Sequence, residues 1–210
     1  FDGYRIVQLT DLHISRLFPA SWTEDVVART NALDADLIVI TGDFIDGSVE
    51  KRREDVASLA TLQARDGVYA IPGNHEYFFE YLKWMGHLAT MNIKMLPNAH
   101  AVLERGEGRI VLAGVTDLSA DETGSPAPDL SKALAGAPAD TPIILLDHQP
   151  MMARQSAATA VWFSGWICWL PEPTTASFPA ATKLTACCST SITVRRFGLA
   201  SRSGLAFPRN

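Results

Sequence analysis

The sequence predicts an α/β fold in which buried strands alternate with amphipathic helices. Continuous apolar runs predict four buried strands, at residues 5–9, 37–40, 68–71 and 143–146. Helical patterns follow each of the first three runs, at about residues 21–33, 50–65 and 77–89. Alternating strands and helices of this length are typical of a layered α/β domain.

Local signals support the individual elements in chain order. Ser21 and Glu24 form a capping-box pattern, which predicts the start of the first helix. Val56, Leu59 and Leu62 recur at helical spacing in the second. A further strand pair is predicted at residues 101–104 and 110–115, joined by a short turn containing two glycines.

Size and charge exclude several classes of protein. The chain has 210 residues, of which 47% are hydrophobic, and this is enough to bury the core of one domain. The net charge of −5 argues against a nucleic-acid partner. The longest strongly apolar stretch, residues 161–170, is shorter than the ~20 residues that span a bilayer. The chain begins with Phe1, so we expect any membrane anchor to lie in a segment outside it.

The composition changes near residue 155. Residues 1–154 carry a net charge of −9 and residues 155–210 a net charge of +4. The second part also holds all three cysteines, Cys168, Cys187 and Cys188, without zinc-ligand spacing, and neither helical nor strand periodicity persists in it. We therefore predict one α/β domain at 1–154 and a divergent or frame-shifted tail of uncertain structure at 155–210.

Polar side chains with metal-ligating atoms follow every one of the four predicted buried strands. In chain order they are Asp11 and His13; Asp43 and Asp46; Asn74, His75 and Glu76; and His148. Ligands collect beyond the carboxyl ends of strands in layered α/β folds, so these groups are expected to converge. An oxygen and nitrogen donor set without cysteine suits Mn, Fe or Zn, and one carboxylate can bridge two such ions.

Each group taken alone has a simpler explanation. An Asp-x-His or Gly-Asp sequence is usually a turn, and a lone histidine after a strand is usually a hydrogen-bonded structural residue. Because the groups occur together, always at strand ends, the sequence favours a shared site.

These motifs identify a resemblance to the calcineurin-like metallophosphoesterases over roughly residues 4–154. The matching segments are Asp11-Leu12-His13, Gly42-Asp43-Phe44-Ile45-Asp46, Gly73-Asn74-His75-Glu76 and His148. The first segment is most similar to a bacterial branch whose catalytic domain follows a membrane anchor or an export signal. The fold that the resemblance implies is a four-layer α/β/β/α sandwich, incomplete here at the C-terminus.

The resemblance also implies a role for each residue. Asp11 and His13 would bind one divalent ion, Asn74 and His148 a second, and Asp43 both. His75 would protonate the leaving oxygen, while Asp46 and Glu76 would orient the ligands or His75. The implied reaction is hydrolysis of a phosphomonoester or phosphodiester by a metal-bound hydroxide. The identity of the ions, the physiological substrate and the oligomeric state stay open.

The family's last motif, Gly-His-x-His, has no counterpart in this sequence, because no histidine follows His148. Each ion would therefore lack one protein ligand. A reading-frame slip near Val161 would explain this, since codons for residues 172–177, read two nucleotides later, permit Thr-His-Asn-Gly-Gln. The alternative is a genuinely divergent tail. If the tail supplies no closing strands, a sheet edge stays uncovered and we expect low solubility.

Two other functional classes stay open from the sequence. The chain could be a catalytically impaired family member that keeps a partial metal site or binds a protein partner. It could also be a structural α/β module, in which case no metal dependence is expected.

Overall fold

The computed structural model describes residues 1–149 and the backbone of three later strands. Ten strands are described: β1 (Tyr4–Thr10), β2 (Leu37–Thr41), β3 (Val68–Ile71), β4 (Ile93–Met95), β5 (Ala99–Arg105), β6 (Gly108–Gly114), β7 (Ile143–Asp147), β8 (Ala160–Ser164), β9 (Thr182–Thr185) and β10 (Ser191–Phe197). The α-helices in this part of the chain are α1 (Ala20–Asn31), α2 (Val49–Arg52), α3 (Asn74–Phe78), α4 (Tyr81–Ala89) and α5 (Leu130–Ala133). Two 3₁₀ turns cover Ala57–Thr61 and Leu118–Thr123.

The strands form two sheets. The larger has the order β4-β3-β2-β1-β10-β9, and the smaller has the order β5-β6-β7-β8. Neighbouring strands from β1 to β4 are parallel, as are β6, β7 and β8. The parallel strands of each sheet therefore end at a common edge.

Alternating side chains of the central strands supply separate apolar layers. In β1, Ile6 packs between the two sheets with Leu112 and Leu146, whereas Val7 belongs to the core under the helices, with Val26 of α1. A third cluster lies on the outer face of the smaller sheet, against α5. Because strand side chains alternate between faces, the central strands within residues 1–149 are covered on two sides in both sheets. The predicted α/β/β/α layering is confirmed.

Three predictions about the helices are wrong: two predicted helices are broken, and one predicted capping box does not form. The helix predicted at 50–65 is broken into α2 and a 3₁₀ turn, because the Asp55 carboxylate accepts hydrogen bonds from the Ala20 amide and the Arg52 guanidinium. The helix predicted at 77–89 is broken between α3 and α4 at Glu80, whose φ is +61°. The first helix begins after Pro19, so Ser21 lies inside it and no capping box forms at Ser21.

Three segments of the tail form strands, contrary to the loss of strand pattern beyond residue 155. The backbone of β10 pairs with β1 along all seven residues, β9 pairs with β10, and β8 pairs with β7. The edge of β1 is therefore covered. These segments contain the β-branched and aromatic residue types that favour strands. The three cysteines and residues 172–177, which carry the frame-slip hypothesis, lie outside the described residues.

A bilayer-spanning helix is absent from the part of the chain that the structure describes.

A cluster of charged groups joins the two sheets at the amino ends of β1 and β2. Asp36 is 7% exposed and accepts hydrogen bonds from the Arg5 amide at 2.8 Å, and from the Arg65 and Arg105 guanidinium groups at 2.9 Å. Burial raises the pKa of Asp36, but the three donors lower it by more, so the pKa lies below its ordinary value of 3.8. The stabilisation is therefore present above that pH and is lost as the pH falls.

We predict that Asp36→Ala lowers the free energy of unfolding by about 1–3 kcal/mol, because it leaves the Arg5 amide without its acceptor. The exposed Asp25, which pairs only with Arg29 among the described ion pairs, provides the control. Asp25→Ala should change it by less than about 0.5 kcal/mol. Urea unfolding at neutral pH measures the free energy of unfolding of both variants. Equal losses in Asp36→Ala and Asp25→Ala would contradict a stabilising role for Asp36.

Candidate metal centre

Four strand ends bring the predicted site residues together. Asp11 and His13 follow β1, Asp43 follows β2, Asn74 begins α3 directly after β3, and His148 follows β7. The first three strands are neighbours in the larger sheet, and β7 belongs to the facing sheet. The site therefore lies where the carboxyl ends of both sheets meet.

The loops after β1 and β2 run side by side. The amides of Asp11 and His13 donate to the carbonyl oxygens of Gly42 and Asp43, at 3.2 and 3.0 Å. Asp11, His13 and Asp43 all have positive φ, of +53°, +43° and +54°. Left-handed backbone costs an L-residue roughly 1–2 kcal/mol. Such strain is concentrated at functional sites, where the surrounding contacts hold it in place.

Two glycines allow the loops to approach this closely. A Cβ on Gly73 would lie 2.3 Å from Asp43 Oδ1 and 2.6 Å from the Asp43 amide nitrogen. Gly42 has a φ of +94°, and a Cβ there would lie 2.5 Å from the Gly73 nitrogen. Neither position accepts a side chain without moving Asp43 or its neighbours.

The carboxylate of Glu76 ties the loops after β2 and β3 together. It accepts hydrogen bonds from the amides of Gly73, Phe44 and Asp43, at 2.7, 2.8 and 2.9 Å, and it is fully buried. Burial and the nearby Asp43 charge raise the pKa of Glu76 to about 7, although the amides oppose the shift. Glu76 therefore positions the ligands through the backbone.

Asp43 is the common member of the cluster. Its Oδ2 lies 3.5 Å from Nε2 of His148, 3.6 Å from Nε2 of His13 and 3.9 Å from Nε2 of His75. Among the described residues, two groups have ligand atoms that lie within 4.8 Å of one another: His13, Asp43 and His75, and Asp11, Asp43 and His148. One carboxylate thus faces two sets of ligands.

His148 is oriented by the end of β2. Its Nδ1 donates to the Thr41 carbonyl at 2.7 Å, and its Nε2 lies 2.9 Å from Oδ1 of Asn74. With the proton on Nδ1, Nε2 can act as a metal ligand, an arrangement common at metal sites. Burial lowers the pKa of His148, but Asp43 and the Thr41 carbonyl raise it, with a net result of about 9.

Asp46 orients two imidazole rings at once. Its Oδ1 accepts hydrogen bonds from Nδ1 of His13 at 3.1 Å and Nδ1 of His75 at 2.5 Å. The ring centroids of the two histidines are 4.5 Å apart, edge to face. Both Nε2 atoms are therefore left to face Asp43.

The charges and donor atoms of the cluster fit divalent cations. Burial raises the pKa of Asp11, whereas hydrogen bonding to His148 and to the His75 amide lowers that of Asp43 despite its burial. Two buried carboxylates that share one site are costly unless a cation lies between them. Carboxylate, amide and imidazole donors without thiols suit borderline cations.

The structure brings all eight predicted residues to one place, but its two distance groups differ from the sequence-based assignment. Asp11 is grouped with His148 rather than with His13, and His75 is grouped with His13. His75 was expected only as a proton donor, and its Nε2 also belongs to the ligand group of His13 and Asp43.

Several contributors were not identified from the sequence. Thr41 acts through its carbonyl, and the Thr10 hydroxyl donates to Asp11 Oδ2 at 2.5 Å. Phe78 and Phe79 flank His75, with ring centroids at 5.7 and 6.2 Å. Their position within three residues of the end of the Gly-Asn-His-Glu segment is the one sequence signal that indicates a place near the site.

Gly73→Ala should displace Asp43 and lower the affinity for Mn²⁺ by at least tenfold, because the added Cβ meets the Asp43 carboxylate and backbone. The matched control is Gly86→Ala in α4, where a Cβ meets nothing within 4 Å. That change should leave Mn²⁺ binding unchanged and stabilise the helix by roughly 0.5–1 kcal/mol. Isothermal titration calorimetry measures the Mn²⁺ affinity of the two variants, and thermal unfolding measures their stability. Wild-type Mn²⁺ affinity in Gly73→Ala would show that the close approach of Gly73 does not position Asp43.

Metal binding should release a proton from His148, because its pKa of about 9 leaves the ring charged at neutral pH. The apparent affinity for Mn²⁺ should therefore rise about tenfold per pH unit between about pH 6.5 and 8. Titrations in buffers of different ionisation enthalpy count the protons released. Binding that is independent of pH would show that the ion displaces no proton from His148, and His148→Ala should reduce the proton count.

Comparison with known proteins shows the family. The family model described as calcineurin-like phosphoesterase matches residues 4–160. A transmembrane protein with a metallophosphoesterase domain from Danio rerio is 37% identical over 161 residues, covering 74% of this chain and 37% of its own length. An uncharacterized metallophosphoesterase from Helicobacter pylori is 35% identical over 150 residues, covering 71% of this chain and 40% of its own length. The chain thus spans about two fifths of these relatives.

Solved structures share the fold. The NAD nucleotidase of Haemophilus influenzae has a TM-score of 0.50 at 14% identity, covering 77% of this chain and 38% of its own. The sulfate thiohydrolase SoxB of Thermus thermophilus has a TM-score of 0.50 at 12% identity, covering 73% of this chain and 45% of its own length. The sequence match and the shared fold agree with the strand-end cluster, and the chain belongs to the calcineurin-like phosphoesterase family.

Proposed function

We propose that this chain is a phosphoric ester hydrolase that works with two divalent ions. The observation that carries the proposal is the position of Asp43, whose carboxylate belongs to both ligand groups. A second carboxylate and imidazoles from separate loops surround it, as two adjacent cations require. Family membership supports the reaction class.

The ligands divide between the two ions around Asp43. Asp11 and His13 would hold one ion, since Asp11 Oδ1 lies 3.9 Å from His13 Nε2. Asn74 and His148 would hold the other, since Asn74 Oδ1 lies 2.9 Å from His148 Nε2. We propose divalent ions of the Mn, Fe or Zn class and do not choose among the three. When bound, two such ions make water more acidic and neutralise charge on the phosphoryl oxygens.

His75 would act as the proton donor to the leaving oxygen. Asp46 accepts from Nδ1 of His75, so the proton available to substrate is the one on Nε2, which faces Asp43. The Asp46 carboxylate fixes the orientation of the ring through this hydrogen bond. The side chain of His75 is 29% exposed, so a substrate can reach it.

The substrate is proposed to be a small phosphate ester. The net charge of −5 offers no support for nucleic acid. UDP-2,3-diacylglucosamine pyrophosphatase LpxG of Chlamydia muridarum is 37% identical over 76 residues, which supports chemistry at a phosphate ester of a small molecule. Because relatives from Danio rerio and Bos taurus are named transmembrane proteins, we also propose that the domain works near a membrane, held by a segment outside this chain.

The competing proposal is a catalytically impaired member of the family. The observation that favours it is the sequence after His148, which contains no histidine to complete either ligand set. An impaired member would bind metal weakly and would not turn over substrate, whereas a structural module would do neither.

The test is hydrolysis of bis(4-nitrophenyl) phosphate by the folded chain during titration with Mn²⁺. We expect turnover that EDTA abolishes, loss of metal affinity in Asp43→Asn, and wild-type rates in the control His87→Gln on α4. Absence of turnover in a folded, metal-bound chain would contradict the proposal and favour the impaired member.

A leaving-group comparison tests the role of His75. His75→Gln should lower kcat for a phenyl ester by about 10²–10⁴-fold, the range of general acid catalysis. The loss should be much smaller for a 4-nitrophenyl ester, because 4-nitrophenolate leaves without a proton. Equal losses for both esters would assign His75 to metal binding.

A further inference from the structure

An exposed aromatic ring stands beside the proposed proton donor. Phe78 is 55% exposed, and its ring centroid lies 5.7 Å from that of His75. The ring of Phe79 lies on the same histidine, at 6.2 Å. A single exposed apolar side chain is common, whereas several that lie together beside a polar centre indicate a binding surface.

The contacts around α3 hold the backbone that carries these rings. The Phe79 amide donates to the His75 carbonyl at 3.1 Å, and Tyr77 stacks on Tyr81 at 4.3 Å. The left-handed Glu80 then starts α4, which the Trp84 indole anchors by donating to the Gly47 carbonyl at 2.9 Å. The backbone of the two phenylalanines is therefore in place before a ligand binds, and such preorganisation lowers the entropic cost of binding.

More apolar surface lies on the elements that pack against α3. Leu82 of α4 is 81% exposed, and Leu118 is 41% exposed at the start of the 3₁₀ turn that contacts α3. Three of the five exposed large hydrophobic side chains in the described residues are thus on α3 or on its contacts. Val102, another of the five, lies on β5.

We propose that Phe78 and Phe79 form an apolar subsite for the carbon skeleton of the leaving alcohol. The inference rests on the proposed function, because the oxygen that His75 protonates is the leaving oxygen, and the carbon attached to it must lie near these rings. The preferred substrates are phosphate esters of apolar alcohols, with alkyl or aryl carbon next to the ester oxygen. Sugar phosphates and inorganic polyphosphates gain nothing from this subsite.

Alkylphosphonates test the subsite directly, because the alkyl group, bonded to phosphorus, takes the place of the leaving alkoxy group. Binding of methyl-, butyl- and octylphosphonate to the Mn²⁺-loaded full chain is measured by calorimetry, with no need for turnover. A fully buried methylene is worth about a fourfold gain in affinity. With partial burial, we expect octylphosphonate to bind at least tenfold more tightly than methylphosphonate.

Variants distinguish binding at the subsite from non-specific hydrophobic binding. Phe78→Ser should remove most of the chain-length dependence, Phe78→Leu should retain it, and Val102→Ser should match wild type. Phenylphosphonate, compared with hexylphosphonate, distinguishes an aryl from an alkyl preference, and tighter binding of either than of methylphosphonate supports the subsite.

Failure of this inference differs from failure of the proposed function. If methyl- and octylphosphonate bind equally, or if Phe78→Ser keeps the chain-length dependence, the subsite is overturned while the phosphate-binding centre stands. If the chain takes up no Mn²⁺, or if no phosphonate binds the Mn²⁺-loaded chain, the proposed function itself is contradicted, and the subsite with it.

Discussion

The fully buried carboxylate of Glu76 holds the centre together. Its oxygens accept three amide hydrogen bonds, one from the loop after β3 and two from the loop after β2. A buried carboxylate is costly to desolvate, and three amides at 2.7–2.9 Å offset that cost. Asp43 lies on the loop after β2, and Asn74 and His75 lie beside Glu76 in the first turn of α3, so the position of each depends on this one carboxylate.

Around that contact, the site concentrates negative charge and strained backbone. Asp43 faces three imidazole rings and lies beside Asp11, and both carboxylates stand on residues with positive φ. Such an arrangement costs folding energy, and the apolar layers on both faces of the larger sheet offset that cost. Cations that bind between the carboxylates would recover part of it, so metal binding and local stability are coupled.

The strands and the site residues could be predicted because both depend on local signals. A run such as residues 37–40 is apolar on both faces, and the polar residues that end it mark the carboxyl edge of the sheet. The broken helices could not be predicted, since the breaks depend on Asp55 reaching Ala20 and on the left-handed Glu80. The strands of the tail were missed because its Ala-, Ser- and Thr-rich composition masks them. The sequence analysis predicts an orienting role for Glu76. It does not predict the three amide partners, because these amides come together only in the folded loops.

The claim that one carboxylate serves two ions is tested most directly by electron paramagnetic resonance of the chain titrated with Mn²⁺. The account predicts two bound ions per chain with an exchange-coupled spectrum, and loss of that coupling in Asp43→Asn. A single bound ion, or two uncoupled ions whose spectrum Asp43→Asn leaves unchanged, would contradict it.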